Sequence, residues 1–364
     1  MEPIEFIGLL VAAFAGGILG ASLGALPAFS FMGFVIIGGE ALRIAGVNIA
    51  GVDLGGYTDN LAFGAFFGPH ITFAAGAAAS AYVAKKGRMG PGFGGNWGAH
   101  KGKNILIASG GRFTDVLLIG GLFGILGFLI FWLSGDVLQL PLDPIALGVV
   151  LSALVHRVAF GYHPIGKVRG DGLLSVGAFE RGETDETDGE GGTPNPRLRA
   201  EPWLPWFYKW QNVAIISLGF GALGGMAFYF TGSMFLAFGF SAATLAYLNL
   251  SWFNDWEAPQ VAVPVTHHVT LPASTAVAAY GGFSAMPEVD AIGAEMFLIE
   301  AVLIGAVFGL IGGLLGELAQ RIFFMHGDTH WDPPATSIVL TTLLIAVLHL
   351  VGLFPSAGFV PLPV

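Results

Sequence analysis

Long apolar runs, broken by glycine or proline rather than by charge, set the pattern of this chain. Nothing between Glu5 and Glu40 is charged, and the run is interrupted at Gly24-Ala25-Leu26-Pro27, which predicts two helices with a tight turn at Pro27. The uncharged interval from Lys209 to Asp255 divides likewise at Thr231-Gly232-Ser233. Single helices are predicted between Asp115 and Asp136, over 144–162, through Glu300 and Glu317, and after Asp332. Two further apolar stretches, Asn60–Ala84 and Ala258–Pro287, are interrupted by proline and histidine. A bilayer-crossing helix takes roughly 20 apolar residues, so the pattern predicts an all-α polytopic membrane protein of about ten transmembrane segments.

Composition removes the soluble alternatives. Only 11% of the 364 residues are charged, against about 25% in soluble domains, and the mean hydropathy is +0.72. The absence of cysteine excludes a disulfide scaffold. The opening MEPIEF is acidic where a signal peptide requires basic residues. Basic residues fall in two connections: Lys85, Lys86, Arg88, Lys101, Lys103 and Arg112 in one, and Lys167, Arg169, Arg181, Arg197, Arg199 and Lys209 in the other. Two predicted spans separate them. Loops 85–112 and 163–208 are therefore expected in the cytoplasm and both termini outside a cell membrane. Within the second loop, GETDETDGEGGTPNPR has no apolar periodicity and reads as a solvated, flexible linker. With the net charge of −10 it suggests a very salty cytoplasm, as in a halophilic archaeon.

Self-comparison divides the chain. His70–Tyr82 aligns without gaps to His268–Tyr280, and Asp115–Gly127 to Glu300–Gly312. Phe14, Phe29, Gly33 and Phe34 match Phe220, Phe235, Gly239 and Phe240, and Asp143-Pro144 matches Asp332-Pro333. Blocks kept in one order predict two copies, residues 1–162 and 209–364, joined by a cytoplasmic linker over 163–208. Five segments per copy make the second enter from the opposite side, a five-plus-five inverted repeat with one broken helix per repeat. Glycines four apart, such as Gly120/Gly124 and Gly305/Gly309, are expected to let helix backbones approach closely.

The broken helices carry the candidate chemistry. Gly68-Pro69 interrupts the first, Pro264 and Pro272 the second, and new helices are expected near Thr72 and Thr270, each a candidate N-cap. Helix starts at membrane depth present unpaired amides and a positive dipole end, which suit an anion. His70, Thr72, His268 and Thr270 are the candidate substrate-binding residues; the plainer alternative is that they bond neighbouring backbone. His267 has no counterpart and is open to a solvent-facing role. Acids at membrane depth need a partner or a task, making Asp115, Glu300 and Glu40 candidates for a coupling ion, Na+ or H+. Asp115 capping a helix and Glu40 pairing with Arg43 are the structural alternatives. His326, Asp328, His330 and Asp332 alternate in a short loop, a weak metal-binding pattern against which a polar turn is the stronger reading.

GGILGASLGALPAFSFMGF at 16–34 and AAGAAASAYVAKKGRM at 74–89 resemble parts of the large membrane subunit of tripartite tricarboxylate transporters. Pro27-Ala28-Phe29 departs from that family, which has glycines after the proline. The whole sequence also resembles uncharacterised multi-spanning proteins of halophilic archaea. The first resemblance implies an anionic carboxylate ligand, carried over here only to Pro27 and the break at 69–82.

These readings predict a secondary transporter of a small anion, with no enzyme activity, no cofactor and no nucleic-acid partner, working in the lipid bilayer alone or as a homo-oligomer. The competing readings are a passive channel of the same architecture, a membrane-embedded metal-dependent enzyme, and a structural membrane subunit.

Overall fold

The computed structural model describes residues 2–46, 56–89, 100–106, 112–188, 194–251 and 262–363. The protein is all-helical apart from one small hairpin. The first half comprises α1 (Pro3–Leu23), α2 (Ala25–Ile44), α3 (Thr72–Lys85), α4 (Thr114–Phe131) and α5 (Pro144–Ala159). A short α6 (Gly177–Glu180) and the strands β1 (Thr184–Asp188) and β2 (Pro194–Leu198) follow. The second half comprises α7 (Trp210–Thr231), α8 (Leu236–Thr244), α9 (Ala246–Ser251), α10 (His267–Tyr280), α11 (Val289–Glu295), α12 (Leu298–Ala319) and α13 (Pro333–Leu350). Both α4 and α12 run on through a wide π-type turn, Trp132–Val137 and Gln320–Phe324.

Among the described residues six helices are long and apolar enough to cross a membrane: α1, α2, α4 and α12 with their extensions, α7 and α13. Helix length and composition are thus those of a multi-pass membrane protein, with six such helices among the described residues where ten segments were expected. The difference lies in α5 and α8–α9, which are apolar but shorter, and in α3 and α10, which have only 14 residues each.

Local sequence explains the boundaries. α1 ends at Gly24, whose φ of 97° is a left-handed conformation, so the turn sits there rather than at Pro27. Pro27 lies in the first turn of α2, where its missing N–H leaves nothing unpaired. Asp143 and Asp332 accept hydrogen bonds from the first amides of α5 and α13, each with proline at the next position, the arrangement that starts a helix most firmly.

Glycines set the spacing. α1 crosses α4 at Gly17, Gly120 and Gly124, and α7 crosses α12 at Gly221, Gly305 and Gly309; a Cβ at any of these would strike backbone or packed side chain across the contact. The small helices α3 and α10 are enclosed by these long ones, and apart from Tyr82, Ala84, Lys85 and Tyr280 at their outer turns their side chains are buried.

The expected flexible linker is instead largely folded. β1 and β2 pair antiparallel from Thr184↔Leu198 to Asp188↔Pro194. The acidic strand is held by cations: Arg199 bonds Asp185 at 2.7 Å, and Arg181 bonds Asp171 and Glu183, each at 2.7 Å. Ala178 and Ala200 bury a small apolar patch against Met325.

Candidate functional site

A helix starts after Gly68-Pro69 and another after Pro264, both at mid-length of the neighbouring helices, while Pro272 makes no break. α3 begins at Thr72, with Ile71 against Gly16 of α1 and His70 against Gly127 of α4. α10 begins at His267, three residues before Thr270, and Pro272 lies inside it. The proline stays in the helix because the carbonyl it cannot serve, that of His268, is received elsewhere, against Gly312 of α12. The His70 carbonyl is left out in the same way, since the Ala74 amide bonds Pro69, and it packs on Gly127, the residue aligned with Gly312. Only glycine admits a carbonyl at these distances, and its Cα–H is the available weak donor.

The structure separates the four expected ligand residues. Thr72 donates its hydroxyl to the Phe67 and Gly68 carbonyls at 3.0 and 3.3 Å, and Thr270 to those of Thr266 and His267 at 3.3 and 3.5 Å. Neither is an N-cap; Ile71 and Thr266 hold those positions. His268 turns into α12, its ring filling the space above Gly316. His70, stacked on Phe131 at 4.9 Å, and His267, edge-on to Phe238 at 5.8 Å, line a common cavity instead. Position 316 aligns with Phe131, and this pair decides which ring is displaced: phenylalanine leaves His70 on the cavity wall, glycine draws His268 away from it. The Nδ1 atoms of His70 and His267 are buried with no hydrogen-bond partner among the described residues.

The cavity holds about 640 Å³ and is walled by both halves of the chain. Leu26 and Arg43 both line it, and they lie at the two ends of α2, about 25 Å apart at 1.5 Å per residue. At the Arg43 end the wall is exposed, at Asp59, Asn60, Asp136 and Ser284. This end is the mouth. At the other end Leu26, Ile105 and half-buried Trp203 form a septum shared with a second cavity of about 70 Å³. This end is the floor. The cap carboxylates Asp143 and Asp332 also line the main cavity, a role that their Asp-Pro signals did not disclose. Asp143 accepts from the Ile145 and Ala146 amides at 2.8 and 3.0 Å; Asp332 accepts from Ala335 at 2.8 Å and faces His330 at 3.3 Å.

Each end is tied by a buried glutamate. Near the mouth Glu40 accepts hydrogen bonds from Thr58 at 2.8 Å and from Ser233 of the second half at 2.6 Å, with Arg43 at 3.7 Å. Arg43 also reaches Asp59 at 3.6 Å. Below the floor, Glu201 is paired with both Lys103 and Arg197, and Arg197 continues to Asp328 at 2.7 Å. The network joins loop 100–106, the segment after β2 and the loop before α13. Burial lowers the Lys103 ammonium to about 8 although Glu201 opposes the shift. Burial acts to raise the Glu201 carboxyl, but Lys103 and Arg197 outweigh it and hold the group below the usual glutamate range.

Apart from Asp332, the remaining candidates do not line the cavity. Asp115 and Glu300 begin α4 and α12: Asp115 meets Arg88 at 2.9 Å and Tyr82 at 3.2 Å, and Glu300 meets Tyr280 at 3.3 Å and caps its own helix through the Phe297 amide at 2.7 Å. These matching Tyr–acid contacts sit at the surface, away from Asp143 and Asp332. His326, Asp328, His330 and Asp332 do not converge: His326 bonds the Leu173 carbonyl, Asp328 pairs with Arg197, and His330 faces Asp332. Among the described residues no three His, Cys, Asp or Glu side chains gather as for a metal ion.

No curated protein and no solved structure matches the chain. A family model does match, over residues 1–363, and the chain accordingly belongs to a family of unknown function, DUF7973.

Proposed function

We propose that this chain is a secondary transporter, built as two inverted five-element halves around one solute site, which is the central cavity. The observation that carries the reading is the cavity's asymmetry: an exposed mouth, walls drawn from both halves, and a floor closed by an apolar septum backed by a buried ion network. Its volume lies within the range of small-molecule sites, about 300–1,000 Å³. A pore needs no closed floor, and a structural subunit needs no solute-sized chamber.

The matched features of the two halves support inverted symmetry. The glycine crossings, the displaced carbonyls of His70 and His268, the Tyr–acid pairs, the π-type extensions and the Asp-Pro caps recur in the same order. Helix starts that meet between inverted repeats are the usual place for a transported solute. In this reading the basic loops at the floor face the cytoplasm, and the described conformation opens to the other side.

Vesicles reconstituted with the protein and loaded with unlabelled amines or carboxylates test the proposal. Saturable uptake of the labelled compound, accelerated by the same compound on the far side, is expected. A steady current without such acceleration would assign a channel instead.

A further inference from the structure

We propose that the central cavity takes a small organic cation, an ammonium or guanidinium group on an apolar body, rather than an anion; this rests on the reading of the cavity as a solute site.

Charge points that way first. The charged side chains among the described lining residues are Arg43, Asp59, Asp136, Asp143 and Asp332, four carboxylates against one guanidinium. That guanidinium is engaged by Glu40 and Asp59. Further along from Ser284, the start of α11 carries exposed Glu288 and Asp290. A mouth of this sign concentrates cations and repels anions before any contact is made.

The walls agree. Phe29, Phe63, Phe235 and Phe238 form a connected set around the cavity, with ring centroids 6.0 Å apart for Phe29–Phe238, 6.0 Å for Phe63–Phe238 and 5.1 Å for Phe63–Phe235. Aromatic faces next to carboxylates are the ordinary surroundings of a bound organic cation. The partnerless, buried Nδ1 atoms of His70 and His267 supply a second kind of group, since a neutral imidazole nitrogen can accept from an ammonium. An anion would find instead that the hydroxyls of Thr72 and Thr270 are already donated to backbone.

The test uses the full-length protein in detergent and solute pairs that differ only in charge: 2-phenylethylammonium against 3-phenylpropionate, and butylammonium against pentanoate. Ammonium members are expected to raise the melting midpoint in a concentration-dependent way, and carboxylate members to leave it unchanged. Asp143→Asn keeps a cap oxygen and removes the charge, and is expected to weaken ammonium binding about tenfold or more. Phe63→Leu, away from the helix cap, is expected to weaken it less. Stabilisation by the carboxylate members, by neither member of any pair, or by ammonium equally in wild type and both variants would overturn the proposal. The transporter reading is judged separately, by cysteine labelling without solute.

Discussion

The mouth and the floor of the cavity are each tied by a buried glutamate, and the two ties are chemically unlike. Glu40 near the mouth is held by two hydroxyls, with its nearest cation at 3.7 Å. Glu201 below the floor is clamped between an ammonium and a guanidinium, and the guanidinium reaches on to Asp328. Breaking a buried ion pair leaves a charge stranded, whereas hydroxyl bonds can be exchanged for water at smaller cost. On the proposed transporter reading, the difference makes the floor the end that costs more to open.

Removing the central carboxylate at each end is the hardest test of this comparison. Glu201→Gln is expected to destabilise by about 3–5 kcal/mol, because Lys103 would stay buried without its counter-charge and Arg197 would keep Asp328 alone. Glu40→Gln, which keeps one acceptor for a hydroxyl, is expected to cost about 1–2 kcal/mol. Denaturant or thermal unfolding in one detergent compares them directly, and equal costs would erase the distinction.

The wall between the ends should give the next largest effect. Gly127→Ala and Gly312→Ala each force a methyl onto a histidine carbonyl and are expected to cost about 1–3 kcal/mol apiece. Similar losses for the two would sharpen the equivalence of the halves. A large loss for one alone would limit it.

Acidity probes the floor by a different route. The folded-state pKa of Glu201 is depressed, so its stabilisation is present above the unfolded value of about 4.3 and is lost as pH falls through the folded one. Lys103 acts in the same direction in a higher pH window. Its folded value of about 8 lies below the unfolded 10.4 or so, the unfolded chain binds more protons between them, and this group therefore raises stability as pH rises across that window. Melting midpoints against pH should show both limbs in wild type, with the acid limb flattened in Glu201→Gln.

The smallest effect is expected at the surface. Asp115→Asn and Glu300→Gln, remote from both ends, should leave the melting midpoint and any solute response unchanged.

How much of this was legible in the sequence follows from the range of each signal. Local signals were read correctly: Gly68-Pro69 before a helix start at Thr72, Asp-Pro at 143 and 332, and glycines at helix crossings. Signals that depend on a distant neighbour were not. Whether a histidine faces the cavity depends on Phe131 or Gly316 across the contact, which leaves His267 rather than His268 on the wall. Pro272 looked like a break because its unserved carbonyl finds a place only in the tertiary structure. The floor joins Lys103, Arg197, Glu201 and Asp328 from three separate segments; Lys103 and Arg197 read as loop charges, Asp328 as part of a weak metal pattern, and nothing local marked Glu201. The acidic run looked solvated because the cations that pair with Glu183 and Asp185, Arg181 and Arg199, flank it rather than alternate with it.

The absence of native cysteine makes one measurement the most direct. Ala146, buried on the cavity wall, is replaced by cysteine, and the protein in vesicles of known orientation is exposed to a membrane-impermeant maleimide from either side. The account predicts reaction from the mouth side alone. With Trp203→Ala added to weaken the floor, reaction from the opposite side should rise as mouth-side reaction falls. Labelling from both sides at once, or from neither, would contradict a chamber that opens to one side at a time.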